Sequence, residues 1–82
     1  MLIQIANLHL NLIETDIQRL LTPFGEVDTI EIVRDKLNNR SRGKAFVDMP
    51  VKNEAENAIV GLHGTVIWGK PLAVTEALER ED

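Results

Sequence analysis

The sequence predicts an α+β sandwich of order β-α-β-β-α-β, a four-stranded antiparallel sheet with two helices on one face. Three observations predict it. Four short runs alternate apolar and polar residues with period two: Leu2–Ala6, Val27–Val33, Arg42–Met49 and Pro71–Thr75. Two longer runs, one beginning near Ile13 and one at Lys52, repeat apolar residues at helical spacing. Each helical run falls between two of the strands, which is the pattern of two split βαβ units.

The first strand puts Ile3 and Ile5 on one face and Leu2, Gln4 and Ala6 on the other, and ends at Asn7-Leu8. Next, Ile13, Ile17, Leu20, Leu21 and Phe24 form the stripe of a helix packed on a sheet. Glu14 and Asp16 suit the positive end of its dipole. Ile13 is a poor cap, and Thr15 with Gln18 offers a capping box one turn in. Thr22-Pro23-Phe24-Gly25 stops the helix, because Pro23 disfavours helical backbone at Thr22.

The second strand turns Ile30 and Ile32 inward and Glu31 and Val33 outward. Asn38-Asn39 reverses the chain into the third strand, so the two form a hairpin. There Ala45, Val47 and Met49 point inward, while Lys44, Phe46 and Asp48 give the front a cation and an exposed ring. Lys52–Leu62 is the second helix, with Ala55, Ala58, Ile59 and Leu62 on one face; Pro50 precedes it and His63-Gly64 ends it. Val66–Lys70 is a short extended piece with a glycine turn, and Leu72 and Val74 point inward from the fourth strand. Residues 1–78 form one domain, and residues 79–82 an acidic tail.

The 82 residues carry a net charge of −4, which disfavours nucleic acid as a partner. The distribution reverses that locally. Arg34, Lys36, Arg40, Arg42 and Lys44 stand against Asp35 alone, so the segment 34–44 is +4 and the remainder −8. Without cysteine there is no disulfide framework and no thiolate metal site. His9 and His63 lack the neighbours of a metal or catalytic cluster, so neither metal nor cofactor is expected. No apolar run approaches membrane-spanning length, and no basic leader precedes an apolar run. A soluble, cytoplasmic protein is expected, or a nuclear one in a eukaryote.

Arg42–Met49 resembles the ribonucleoprotein octamer of the RNA-recognition motif, K/R-G-F/Y-G/A-F-V-x-F/Y. Arg42, Gly43, Ala45, Phe46 and Val47 match, whereas Lys44 and Met49 replace aromatics. Ile3-Gln4-Ile5-Ala6-Asn7-Leu8 resembles the family's second motif, with Gln4 in place of a stacking ring. The resemblance runs from Leu2 to about Ala77. It implies a ferredoxin-like sheet with the first and third strands central, so that Gln4, Lys44 and Phe46 meet on the open face.

Such a face binds single-stranded RNA by laying bases on aromatic rings, and would accept single-stranded DNA similarly. Phe46 would be the stacking platform, with Arg42 and Lys44 as phosphate contacts and Arg40 as a further one. Gln4, Thr75 and Glu76 would meet base edges, and Trp68 would be structural. Two lost platforms imply an affinity lower by about 2–6 kcal/mol, hence weak binding.

Other classes fit less well. An acylphosphatase-like enzyme needs a phosphate-cradling glycine loop after the first strand, and Asn7–Asn11 has none; Ser41 is the sole serine. The alternative is a protein-interaction or homodimerisation module, favoured by the acidity and by expected exposure of Leu2, Val33 and Phe46. Relatives that grip a tryptophan peptide carry Arg-x-Phe before the fourth strand, and Gly64–Trp68 lacks it. In a third reading, Phe46 packs under the C-terminal residues with Leu78 as its lid.

Overall fold

The computed structural model describes residues 1–80; Glu81 and Asp82, the end of the expected tail, lie outside the described residues. The elements are β1 (Leu2–Ala6), α1 (Glu14–Leu21), a 3-10 turn (Thr22–Phe24), β2 (Thr29–Arg34), β3 (Ser41–Asp48) and α2 (Lys52–Leu62). A small hairpin follows, β4 (Val66–Ile67) and β5 (Lys70–Pro71), and then β6 (Ala73–Glu76). The main sheet has the order β2-β3-β1-β6 and pairs antiparallel throughout. This is the ferredoxin-like sandwich, with the first and third strands central as expected. No helix among the described residues is long and apolar enough to cross a membrane.

One face of the sheet makes the core. Ile3 and Ile5 of β1 and Ala45 and Val47 of β3 are fully buried, together with Ile17 and Leu21 of α1. Ala55 and Ala58 are buried as well, and their small side chains let α2 lie close to the strands. Where the ring of Phe24 crosses α2, a β-carbon at Gly61 would lie 2.5 Å from it. The helix therefore carries glycine there in spite of its propensity cost of about 1 kcal/mol.

Several boundaries differ from those expected. Helix α1 begins at Glu14, and its first turn is closed by Asp16, whose carboxylate accepts the Ile13 N–H at 3.0 Å. Thr15 with Gln18 is not the cap, because Thr15 already lies inside the helix. Strand β2 starts at Thr29: Val27 packs on the core without joining the ladder, and the strand's approach is fixed by the Asp28 N–H on the Asp48 carbonyl, 2.8 Å.

The glycine of the octad has a specific task. Ile32 pairs with Ala45 but Arg34 with Ser41, so β3 bulges between them. Gly43 takes up the bulge with φ +77°, and its carbonyl accepts the Leu8 N–H at 2.9 Å. A β-carbon there would stand 3.1 Å from the Leu8 carbonyl oxygen. Gly43→Ala is expected to lower stability by about 1–2 kcal/mol, the left-handed penalty for an L-residue, as measured by urea denaturation.

Candidate nucleic-acid interface

The pairing of β1 with β3 sets Gln4 opposite Phe46 and Ala6 opposite Lys44. Glu31 of β2 lies on the other side of Phe46, and Thr75 of β6 on the other side of Gln4. Residues directly opposite one another share a face. Glu31, Phe46, Gln4 and Thr75 thus form one row across the whole sheet, on the side away from the helices. Thr29, Asp48 and Leu2 make the neighbouring row toward one end, while Lys44 and Ala6 lie toward the other.

The cations gather at the Lys44 end. The β2–β3 loop is folded by its own side chains: the Asp35 carboxylate accepts the Leu37 and Asn38 N–H groups at 2.8 and 3.3 Å. Asn38 then accepts the Arg40 N–H at 3.0 Å, and Asn39 takes the left-handed conformation that turns the chain. Arg40 and Arg42 are left exposed and Lys44 half-buried. Arg34 is committed to Glu14, 3.3 Å away. Arg34 and Arg40 border a cleft of about 430 Å³ with Leu10, Asn11 and Ser41.

The architecture and the octad agree with a match of residues 3–73 to the family model of the RNA recognition motif. The chain belongs to that family. It is similar to one subunit of human eukaryotic translation initiation factor 3, with 35% identity over 77 residues, 84% of this chain and 24% of that protein. This chain spans about a quarter of the length of such relatives. The crystal structure of RNA-binding protein PG1 is similar over the whole chain and 99% of its own, with 38% identity and a TM-score of 0.94. The SXL-lethal protein/RNA complex contains a chain with 31% identity and a TM-score of 0.87, covering 93% of this chain and 47% of that one.

Within this RNA recognition motif the sequence-predicted residues do not all come together. Gln4, Lys44, Phe46 and Thr75 share the open face, with Arg40 and Arg42 at its cationic end. Glu76 does not join them. It lies opposite Ile3, and so belongs to the helix side of the sheet, at the edge groove with Lys52, Glu56 and Val60. Its place next to Thr75 in sequence puts it on the opposite face.

Phe46 is on the expected face but is not an exposed ring: none of it is accessible. It is also absent from the core beneath the helices. Leu2 and Val33 are only half-exposed, so the apolar open face that would suit a peptide or a second copy is small. Leu78 is not the lid, being 99% exposed.

The residue that reaches over the face is Arg80, which donates to Thr29 Oγ1 at 2.8 Å and stands 3.6 Å from Glu31 Oε2. Thr29 and Arg80 were not distinguished by sequence reasoning. The available signal was Arg80 itself, the one cation after Lys70 in an otherwise acidic terminus.

Trp68 also departs from its structural reading. It is 57% exposed, with φ +51° in the two-residue turn it shares with Gly69, and its ring meets His9 edge to face at 5.3 Å. The turn is of the mirror-image type that suits a tight hairpin, usually built from Asn and Gly. Among the described residues no group of three or more His, Cys, Asp or Glu is placed to hold a metal.

The burial of Phe46 is directly checkable. Phe46→Ala is expected to lower the unfolding free energy by about 2–4 kcal/mol in urea denaturation, within or just below the usual range for a buried ring. An exposed platform would lose less than about 0.5 kcal/mol.

Proposed function

We propose that this domain binds single-stranded RNA on its open sheet face, as a binding module rather than a catalyst. The observation that carries the reading is the placing of Phe46 and Gln4 side by side on the two central strands, beside a hairpin rich in cations that attract phosphate. A base would lie on Phe46, because every base has a π face. Gln4 and Thr75 supply hydrogen-bonding groups to base edges in the same row. Lys44, Arg42 and Arg40 attract the backbone at the cationic end.

Family membership supports this reading, as does likeness to the chain in the SXL-lethal protein/RNA complex. With a single ring where the family pattern has three aromatics, the affinity of the isolated domain is weak, and single-stranded DNA is the nearest substitute ligand. Such a module works where single-stranded RNA is met, in the cytoplasm or, in a eukaryote, the nucleus. Self-association through the sheet is the less favoured reading, since Leu2 and Val33 offer little apolar area.

Two measurements test the proposal. Amide shifts followed by NMR during titration with short single-stranded RNA should move Gln4, Lys44, Phe46 and Thr75. Phe46→Leu, which keeps an apolar side chain but removes the ring, should weaken binding roughly 5- to 150-fold, equivalent to about 1–3 kcal/mol. Absence of shifts at millimolar RNA and low salt would sink the reading.

The salt dependence tests the cations separately. Three phosphate contacts predict a slope of log affinity against log salt of about −2, and Lys44→Ala should reduce its magnitude by about 0.7. A slope unchanged in Lys44→Ala, Arg42→Ala and Arg40→Ala alike would remove these residues from the interface.

A further inference from the structure

We propose that Ala77–Arg80 is an intramolecular strap closing the open face, with Arg80 as its latch, so that RNA must displace it to reach Phe46. This regulation rests on the reading of that face as the RNA platform.

The topology requires the crossing. Strands β6 and β2 are opposite edges of the sheet, with β1 and β3 between them. The Ala77 N–H still pairs with β1, on the Leu2 carbonyl at 2.9 Å. Three residues later the Arg80 guanidinium is on β2, bonded to Thr29 and close to Glu31. Ala77 itself lies on the β6 line, and from there to β2 is three strand spacings, about 14–15 Å, which three residues and an arginine side chain together can span. The path therefore passes over β3.

The burial of Phe46 fits the same path. Glu31 and Gln4 flank the ring within the plane of the sheet, and in-plane neighbours cannot by themselves close a ring from above. Helices α1 and α2 lie on the other side. Leu78 points away, almost wholly exposed. Besides the half-buried Lys44 on the same strand, the chain that crosses above this row is the strap, and the methylene stem of Arg80 can lie on apolar surface while its head is bonded at the far edge. A base and this strap compete for one place.

The latch is weak enough to open. Arg80 and Glu31 are 31% and 56% exposed, so their attraction is screened by water and salt. A ligand that needs the open form sees its affinity reduced by the fraction open. Removing the latch should therefore raise RNA affinity about three- to fivefold. This is opposite in sign to the loss expected if Arg80 were simply one more cation on the RNA backbone.

The test compares the wild-type chain with Arg80→Ala, Thr29→Val and the double variant. Each is titrated with single-stranded hexamers of uridine and of adenosine. In parallel, the Phe46 ring protons are followed by NMR in the presence of a soluble paramagnetic agent, with urea denaturation confirming that each variant is folded. The strap predicts that Phe46 becomes accessible and affinity rises in both single variants. It also predicts that the double variant binds no tighter than Arg80→Ala, since both changes break one contact.

A ring equally shielded in Arg80→Ala overturns the strap, as does an affinity that falls or stays unchanged once the ring is exposed. If the ring becomes accessible but neither wild type nor variants bind RNA, the strap stands and the RNA reading of the face fails instead.

Discussion

The antiparallel pairing of β1 with β3 is the constraint on which the rest of the structure depends. Its register places Ile3 against Val47 and Ile5 against Ala45, all four fully buried beneath the helices. The same register leaves Gln4 against Phe46 on the other face. A slip of one residue would exchange the two faces, exposing the isoleucines and burying a glutamine and a lysine. Core and candidate interface are therefore fixed by one decision. Gly43 protects it, since its bulge ends the regular ladder where the Leu8 N–H must be received.

Features written in local periodicity were legible in the sequence. The bounds of α2, the inward faces of all four main strands and the strand order follow from spacing, turn residues and the resemblance carried by the octad. Features that depend on distant partners were not legible. The side of the sheet to which Glu76 belongs is decided by its pairing with Ile3, at the other end of the chain. Asp16 could be seen as a charge near a helix start, but its bond to the Ile13 N–H depends on where the first turn closes. How Phe46 is covered was visible only in part: the C-terminal residues were one reading of it, but through Leu78 and not Arg80. Residues 77–80 have no apolar period, and the one apolar side chain that looked like a lid, Leu78, is the one that points to water.

The charge distribution acquires a direction once the rows of the sheet are known. The Lys44 end carries the basic hairpin, while the opposite end presents the half-buried Asp48 beside Thr29, and Glu31 lies in the middle row opposite Phe46. Both acids have a cation nearby, the N-terminal ammonium 3.8 Å from Asp48 and Arg80 3.6 Å from Glu31, so the uncompensated charge of the face lies at the basic hairpin. Arg80 stands on the β2 edge, between Thr29 and Glu31, and so offsets part of the acidic charge while the strap is closed. The net charge of −4 conceals this polarity, because the acids are dispersed over the helices and terminus while the segment 34–44 concentrates its cations.

On the proposed reading, recognition at this face is an exchange rather than an addition. Covering a phenylalanine ring with protein is worth about 1.5–3 kcal/mol, and stacking a base on a ring about 1–3 kcal/mol. The two ranges overlap, so replacing the strap by a base on Phe46 is close to balanced. On that reading the surplus comes from terms the strap lacks: phosphates near Arg40, Arg42 and Lys44, and base edges meeting Gln4 and Thr75. A ligand offering only a flat apolar surface gains little from such an exchange. One that extends from Phe46 to the basic hairpin gains at both ends, which selects for a continuous strand over an isolated base.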